Sequence, residues 1–204
     1  MKIFAAGDLH GDSALAKELA EKAKEGGAEL VLLCGDLTHR DQQADYLIGP
    51  FKARNLNVAF VHGNHDSFAT AGFFSEFYYI KNLHRKGIKY NRFGFFGVGG
   101  ANIGLERLTE DELFEALKYG FESVNYLDKK IMVTHVHPAN CQIENFTTLF
   151  PGSAGVTKAI NEFSPDLVLC SHVHEADGIE DRIGKTRIIN VGRSGKLLDL
   201  QKIL

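Results

Sequence analysis

Six short apolar runs, each closed by glycine or by a polar cluster, constrain the fold of this chain more than any other feature. Each run has four to six residues, which is short for a helix and typical of strands buried on both faces of a sheet. We therefore expect a sheet-containing core. The runs are Ile3 to Ala6, Leu30 to Cys34, Val58 to Val61, Phe93 to Val98, Ile131 to Thr134 and Leu167 to Cys170.

Helical patterns separate several of these runs. Ser13 to Glu25 carries apolar residues four positions apart, and Gly26-Gly27 predicts its end. Thr109 to Tyr119 begins with Thr-Glu-Asp-Glu, which is typical of a helix start. Strands that alternate with helices predict a layered α/β domain with helices outside a sheet core.

The last quarter of the chain has a different pattern. Gly178 to Asp181, Ile183 to Asn190 and Lys196 to Ile203 are short strand-like segments joined by glycine turns, and we expect antiparallel strands there. The chain has 204 residues, of which 44% are hydrophobic, and this is enough for one well-buried core. We expect a single domain over residues 1–204.

The charge, the hydropathy and the cysteines of the chain limit the classes of protein to which it could belong. The formal net charge is −3 with both signs interspersed, so no dedicated nucleic-acid surface is evident. No apolar stretch is long enough to cross a bilayer, and we expect a cytoplasmic protein without a membrane partner. Cys34, Cys141 and Cys170 lie far apart and are interpreted as structural.

The aromatic segment Phe68 to Tyr79 could line a pocket, pack under a helix or form a subunit interface, which leaves a homo-oligomer open.

Residues of the types that bind metals follow five of the six runs directly. Open α/β sheets bind ligands beyond the carboxyl ends of their strands, so we expect these side chains to converge on one crevice. A lone aspartate is more often a helix cap, and a lone histidine is more often a buried polar group, but five clusters in order outweigh those interpretations. The clusters are Asp8 and His10; Asp36; Asn64, His65 and Asp66; His135; and His172 and His174.

The chemistry of these clusters favours divalent metal ions. Carboxylates offset the charge of a metal, neutral imidazoles add affinity, and no thiolate takes part, a mixture that favours manganese, iron or zinc. Asp8 and His10 are two residues apart, and on extended backbone such a pair points to the same side. His172 and His174 have the same spacing. Glycines beside three of the clusters provide the space and the positive φ that a tight turn requires.

Other segments that could have bound a phosphate or a metal are excluded or interpreted as structural. Gly97 to Gly100 hints at a dinucleotide loop, but Asn102 stands where the third glycine is required. Gly184 to Thr186 is similar to the end of a nucleotide-binding loop, but Ile179 stands where its first glycine should be, and a hairpin turn is the simpler interpretation. The histidines interpreted as structural are His39, His62, His84 and His137, of which His137 is a candidate to support a ligand.

The ordered motifs resemble those of the calcineurin-like metallophosphoesterase superfamily, from Asp8 to His174. The turn at Gly184 to Thr186 and the segment Asn190 to Gly192 are similar to the small bacterial and archaeal phosphodiesterase branch. The resemblance implies an α/β fold, a four-layer αββα sandwich of two mixed sheets flanked by helices. The matching motifs are Gly7-Asp8-Leu9-His10-Gly11, Gly35-Asp36, Gly63-Asn64-His65-Asp66, His135 and His172-Val173-His174. The last motif has Ser171 where the family usually has glycine, and Val136-His137-Pro138 follows His135 in place of the usual proline pair.

The resemblance also implies the cofactors and the roles of the site residues. Two divalent metal ions are expected, with manganese favoured and iron, zinc or nickel as alternatives. The first ion would be held by Asp8, His10, Asp36 and His174, and the second by Asp36, Asn64, His135 and His172. His65 would be the catalytic histidine, with Asp66 orienting its ring. Asn64, His65 and Arg193 would contact the substrate.

These assignments predict a phosphoesterase that hydrolyses a small organic phosphodiester or phosphomonoester. A hydroxide shared by the two metal ions would attack the phosphorus in line, and protonated His65 would be the general acid. The first alternative to a phosphoesterase is a binding scaffold that resembles the retromer-type relatives, but such proteins lack the catalytic histidine. A nuclease resembling the DNA-repair branch is the second, although this chain has no room for its capping domains.

Overall fold

The computed structural model describes residues 1–104 and 107–204. Strands alternate with helices along most of the chain, as the apolar runs predict. The strands are β1 (Lys2–Ala6), β2 (Leu30–Cys34), β3 (Val58–Val61), β4 (Lys81–Asn82), β5 (Lys86–Tyr90), β6 (Phe93–Val98), β7 (Lys129–Thr134), β8 (Leu167–Cys170), β9 (Glu180–Ile183), β10 (Thr186–Asn190) and β11 (Lys196–Asp199). The helices are α1 (Ser13–Glu25), α2 (Gly49–Ala53), α3 (Phe68–Phe77), α4 (Glu110–Glu122), α5 (Ala154–Phe163) and α6 (Leu200–Ile203), and short 3-10 helices cover Gln142–Phe146 and His174–Ala176.

The strands form two mixed sheets. The first has the order β11-β1-β2-β3-β4, and the second has the order β5-β6-β7-β8-β10-β9. Neighbours within β1 to β4 and within β6, β7, β8 and β10 are parallel, whereas β11, β5 and β9 pair antiparallel with their neighbours. The carboxyl ends of the parallel strands therefore meet at one edge of each sheet.

Three layers of buried apolar side chains hold the sheets and helices together. Side chains of a strand alternate between its two faces, so Ile3 of β1 packs between the sheets whereas Phe4 packs against the first group of helices. Leu19 of α1 packs in the same outer layer as Phe4, and Leu117 of α4 packs in the layer outside the second sheet. The expected four-layer αββα sandwich is confirmed.

Capping residues fix where the two predicted helices begin. The Asp12 side chain accepts a hydrogen bond from the Leu15 backbone N–H, and α1 ends before Gly26 as expected. Thr109 and Glu112 form a reciprocal capping box at the start of α4. This helix continues to Glu122, three residues beyond its predicted end.

The structure confirms part of the prediction of antiparallel strands in the last quarter of the chain. Strands β9 and β10 form an antiparallel hairpin that turns at Gly184 and Lys185, and β11 pairs antiparallel with β1 of the other sheet. The expectation that the last strand continues to Ile203 is wrong. Residues 200–203 form α6, because the Asp199 side chain accepts a hydrogen bond from the Gln201 backbone N–H and starts a helical turn.

Two further observations bear on the expected class of protein. In the described part of the chain, no helix is both long enough and apolar enough to cross a membrane. Cys34, Cys141 and Cys170 are buried and unpaired, and burial raises the pKa of the Cys34 thiol well above its usual range. All three cysteines therefore pack as small apolar side chains.

Candidate metal centre

Ligand-type side chains from both sheets meet beyond the carboxyl ends of β1, β2, β3, β7 and β8. Among the described residues, three groups of side chains have ligand atoms within 4.8 Å of one another. One group is Asp8, His10 and His174; another is Asp36, His135 and His172; the third is His10, His39 and His65. The first two groups fall within the two ligand sets that the motifs imply.

The first group joins the loop after β1 to the 3-10 helix after β8. The Nε2 atoms of His10 and His174 are 3.1 Å apart, and Nε2 of His174 lies 3.9 Å from Oδ2 of Asp8. Asp8 is fully buried and accepts hydrogen bonds from the backbone N–H of His172 at 3.1 and 3.2 Å. These contacts fix Asp8 in place and bring the two chain segments together.

The second group is more deeply buried. Nε2 of His135 lies 2.9 Å from Oδ1 of Asn64 and 3.1 Å from Nδ1 of His172. His135 has no exposed surface, and Asn64 and His172 are less than one tenth exposed. Atoms that usually accept hydrogen bonds or coordinate cations therefore point at one another among side chains that are almost fully buried.

Asp36 lies between the two groups. Its Oδ2 atom is 3.7 Å from Nε2 of His10 and 3.4 Å from Nε2 of His135. Its Oδ1 atom accepts a hydrogen bond of 2.8 Å from the backbone N–H of His65, which fixes the orientation of the carboxylate. One carboxylate oxygen thus faces both groups at once.

The surroundings of His135 determine which of its nitrogens can bind a cation. Nδ1 lies 2.9 Å from the carbonyl oxygen of Cys34 and 3.1 Å from Oγ of Ser171. A carbonyl oxygen only accepts hydrogen bonds, so Nδ1 must carry the proton, and Nε2 of the neutral ring has the free lone pair. Metal-binding histidines are commonly held by such a carbonyl contact at the second nitrogen. Ser171 also donates a hydrogen bond of 2.6 Å to the Cys34 carbonyl, so this departure from the family motif contributes to the support.

The chemistry of the donor set fits divalent metal ions. Oxygen and nitrogen acceptors of the two groups and of Asn64 lie within 2.9 to 3.9 Å of one another, and their lone pairs repel one another unless a proton or a metal cation lies between them. Nε2 of His172 and Nδ1 of His10 are buried without a hydrogen-bond partner among the described residues. Two carboxylates, one amide and four imidazoles suit manganese, iron or zinc.

The pKa values of the buried groups reflect the same need for positive charge. Burial raises the pKa of Asp8 to about 6, against the opposing effect of His135. Burial also disfavours the charged form of His135, but Asp36 outweighs this effect and raises the pKa of His135 to about 9. Burial alone would raise the pKa of Asp36, yet His135 holds it below its usual range. Divalent cations would supply this positive charge in place of a proton on His135.

Backbone conformation distinguishes the ligand-type residues from ordinary strand ends. Asp8, His10, Asp36 and His172 have φ between +48° and +75°, a region that residues other than glycine rarely occupy. The expectation that Asp8 with His10, and His172 with His174, lie on extended backbone is therefore wrong. Left-handed turns instead direct them into the site, and His172 and His174 consequently belong to different groups. Strain of this kind is typical of functional sites.

Glycines near the site mainly provide space. A Cβ atom on Gly63 would overlap the Asp36 carboxylate, and one on Gly35 would lie 2.6 Å from Nδ1 of His135. Only Gly35, at φ +90°, has the positive φ expected of the glycines that precede Asp8, Asp36 and Asn64. Glycine is therefore required at these turns chiefly because the ligand-type side chains approach the backbone closely.

The Asp66 carboxylate holds two loops together rather than the ring of His65. It accepts hydrogen bonds from the backbone N–H groups of Leu37, Thr38 and Gly63 and from the Thr38 hydroxyl, at 2.7 to 3.0 Å. Within the described residues, Nδ1 of His65 is buried without a hydrogen-bond partner. The contacts of Asp66 thus differ from the expected ring-orienting role, because its carboxylate accepts hydrogen bonds from Leu37, Thr38 and Gly63.

We predict that Asp66→Asn destabilises the protein. The amide nitrogen of asparagine cannot accept the hydrogen bonds that one carboxylate oxygen accepts now, and leaving buried N–H groups unpaired costs about 1–3 kcal/mol each. Asp66 accepts from three such groups. Thermal unfolding should therefore show a fall in Tm of about 5–15 °C, since about 2–4 °C corresponds to 1 kcal/mol in a domain of this size. An unchanged Tm with a large loss of kcat would instead support direct contact between Asp66 and the His65 ring.

The sequence profile of one known family matches most of the chain. The family is described as calcineurin-like phosphoesterase, and the match covers residues 1–176. The chain belongs to this family. Members are phosphoric ester hydrolases that use a dinuclear centre of divalent metal ions. No curated protein matches the sequence of this calcineurin-like phosphoesterase.

Solved structures share its fold. A protein of Thermus thermophilus is 21% identical with a TM-score of 0.79, and the alignment covers 100% of this chain and 96% of that chain. An archaeal phosphodiesterase is 16% identical with a TM-score of 0.61, again over 100% of this chain and 96% of that one. A dimetal phosphatase from Danio rerio is 11% identical with a TM-score of 0.62, over 93% and 86% of the two chains. At these identities the likeness shows the fold alone.

A pocket of about 410 Å³ opens above the ligand groups of this calcineurin-like phosphoesterase. His39, Phe150 and Glu175 line the pocket, and none of the three is among the site residues expected from sequence. His39 is exposed, with its ring 5.1 Å from that of His65 and 5.9 Å from that of His10, so it does not pack as a structural histidine. In the sequence, only its position three residues after Asp36 indicates that His39 could lie at the site.

Arg193 is not among the pocket-lining residues. Its guanidinium donates hydrogen bonds of 3.1 Å to the carbonyl oxygen of Asp8 and to the Asp12 carboxylate. Arg193 therefore supports the backbone that carries Asp8 and His10, and substrate contact by its side chain would require these bonds to break.

The other histidines pack away from the pocket. The ring of His62 is buried between those of Phe68 and His84, at centroid distances of 4.8 and 4.9 Å. His137 is buried behind the centre, with its ring stacked 6.4 Å from that of His172. These placements agree with the structural interpretation of His62 and His84 and with a supporting position for His137.

Proposed function

We propose that this calcineurin-like phosphoesterase is a dinuclear metal-dependent phosphodiesterase, with phosphomonoesters as poorer substrates. The observation that carries this proposal is the position of Asp36. One oxygen of its buried carboxylate faces both ligand groups, and the other is fixed by the backbone of the loop that carries His65. A carboxylate in this position suits a bridge between two cations.

Two ligand sets would hold the metal ions. One is Asp8, His10, Asp36 and His174, and the other is Asp36, Asn64, His135 and His172. We favour manganese over iron, zinc or nickel. When bound, the ions would lower the pKa of a coordinated water and neutralise charge on the phosphoryl oxygens, which prepares in-line displacement of the leaving group.

His65 and Asn64 are the residues of the chain that we assign to the substrate. Asn64 lines the pocket, and its Oδ1 faces His135, so the amide nitrogen is left as a donor for a phosphoryl oxygen. The ring of His65 lines the same pocket, where it can donate a proton to the leaving oxygen. Burial lowers the pKa of His65, with Asp36 opposing, and a phosphate anion beside the ring would also favour its protonated form.

The charge of the pocket favours a diester. Among the described residues that line it, none is lysine or arginine, and Glu175 adds an exposed carboxylate. A diester carries one negative charge, whereas a monoester carries close to two at neutral pH and needs an additional cation. Arg40 lies in an adjoining pocket of about 310 Å³ with Asn64, His65 and Gly104, where it can contact a more distant part of the ester.

An assay with two chromogenic esters tests the proposal. Purified protein should hydrolyse bis(p-nitrophenyl) phosphate with a higher kcat/KM than p-nitrophenyl phosphate, and only after manganese or a similar ion is added to protein stripped with a chelator. A faster reaction with the monoester would reverse the assigned preference. Release of no product from either ester with any of the four metals would contradict the proposal and favour a binding scaffold.

The extent of the domain is part of the same proposal. Strands β10 and β11 begin after residue 176, yet β10 lies within the second sheet and β11 pairs with β1 of the first. Completing both sheets thus requires residues beyond the family match, which supports a single domain over residues 1–204.

A further inference from the structure

The segment from residue 81 to residue 92 has an unusual charge for a chain of net charge −3. It contains five lysines and arginines and no aspartate or glutamate. The segment includes β4 and β5, each of which is one of the two edge strands of its sheet. The segment that forms these two edge strands therefore carries only positive charge, although charges of both signs are interspersed along the sequence as a whole.

A groove runs between these two sheet edges. A cavity of about 580 Å³ lies between the end of α3, β4, β5 and α4, and a second cavity of about 210 Å³ lies beside it. Tyr79, Lys81 and Ile88 line both cavities, so the two are adjoining parts of one groove. The larger cavity exceeds the pocket above the metal centre in volume and shares no described lining residue with it.

The lining of the groove is cationic. Five lysine and arginine side chains line it and no aspartate or glutamate does, within the part of the chain that the structure describes. None of the five forms an ion pair with a described residue, whereas seven lysines and arginines elsewhere in the described part of the chain do. The five cations are Lys52, Lys81, Arg85, Lys86 and Lys89.

Exposed tyrosines accompany the cations. Tyr79 is 88% exposed and Tyr119 is 58% exposed, and both line the larger cavity. The Arg85 guanidinium lies 4.7 Å from the centre of the Tyr119 ring, so this pair already presents a flat stacked surface. Tyr79 follows α3 with φ +53°, a conformation that favours glycine, yet its ring gains almost no packing there. A contact with a ligand would account for an aromatic ring in this position.

Protection of the sheet edges explains only part of this arrangement. Lysines on an edge strand prevent edge-to-edge pairing with other chains, and Lys86 and Lys89 are on the exposed edge of β5. That role requires neither a concave surface nor exposed aromatic rings. A flat anionic membrane also fits poorly into a groove between two sheet edges.

We propose that this groove binds single-stranded nucleic acid, with the phosphates along its lysines and arginines and bases stacked on Tyr79 and Tyr119. Cationic grooves with aromatic stacking platforms bind single strands with little sequence preference. The groove is separate from the metal centre, so the proposal does not depend on the phosphoesterase activity.

Fluorescence anisotropy with a labelled 20-nucleotide oligothymidylate tests this proposal on the full chain in a chelator, which prevents hydrolysis. We expect a Kd of about 10 µM or tighter at 50 mM KCl, weakening about 50-fold at 200 mM if four phosphates are contacted. Lys86→Glu with Lys89→Glu should weaken binding at least tenfold and roughly halve the salt dependence. Tyr79→Ala should weaken it about tenfold without changing the salt dependence.

Matched controls separate the groove from general charge effects. Lys17→Glu with Lys185→Glu changes the net charge equally at exposed positions elsewhere and should leave the Kd within twofold. Thermal unfolding should show that every variant is folded. The proposal is overturned if oligothymidylate does not bind, if the two double variants weaken binding equally, or if a 20-residue polyglutamate or phosphatidylserine vesicles bind as tightly as the oligonucleotide.

Discussion

Replacing Asp36 by asparagine is expected to remove both metal ions and to lower kcat/KM by about a thousandfold or more, since losing about 4 kcal/mol of transition-state stabilisation costs a factor of about 10³. The buried carboxylate faces His10 on one side and His135 on the other, so the substitution removes negative charge from both ligand groups at once. Steady-state kinetics with added manganese and elemental analysis of the purified variant measure the two effects.

A surface substitution provides the control for Asp36→Asn. Asp128 is exposed and lies outside the ligand groups and the pocket above them, so Asp128→Asn makes the same chemical change away from the centre. It should retain metal content and activity within about twofold, as surface substitutions usually change stability by less than about 0.5 kcal/mol. If Asp36→Asn kept one ion per chain and most of its activity, Asp36 would not be the bridge between the two groups.

Replacing His65 by alanine is expected to lower kcat by about 10²–10⁴-fold, the usual contribution of a general acid, while both metal ions remain bound. The ring of His65 lies in the third group with His10 and His39 and outside the two groups that contain carboxylates. Its removal therefore leaves the charge-neutralising ligands in place. Elemental analysis of the variant checks the metal content, and kcat measures the loss of proton donation.

The leaving group distinguishes proton donation from other roles of His65. A nitrophenolate leaves without much help from an acid, whereas an alkoxide requires a proton, so the effect of His65→Ala should be much larger with an alkyl phosphodiester than with bis(p-nitrophenyl) phosphate. Equal losses with both esters would indicate that His65 positions the substrate instead. Loss of metal from the variant would indicate that His65 is a ligand.

Much of the fold, and the meeting of the ligand-type residues, could be predicted from local sequence. Buried parallel strands appear as continuous apolar runs, and polar residues placed directly after them can only lie at the carboxyl edge of the sheet. Asp36 after Leu30 to Cys34 and His135 after Ile131 to Thr134 are examples. The αββα layering required the family resemblance, because strand number alone does not specify how two sheets stack.

Features that depend on tertiary contacts could not be predicted. The carboxylate of Asp66 meets the backbone of Leu37 and Thr38, residues almost thirty positions away in the chain. Helix α3 carries Phe74 in the core but leaves Phe73 and Phe77 about half exposed or more, and its apolar residues give no single periodic face. The cationic groove likewise forms only because two edge strands from different sheets lie side by side.

The most direct test of a shared dinuclear centre is anomalous diffraction from crystals grown with excess manganese. We predict two peaks about 3.5–4 Å apart, the usual separation in two-metal sites, both in contact with Asp36. One peak should lie beside Asp8 and His174, and the other beside His135 and His172. A single peak, or two peaks that do not share Asp36, would contradict the assignment.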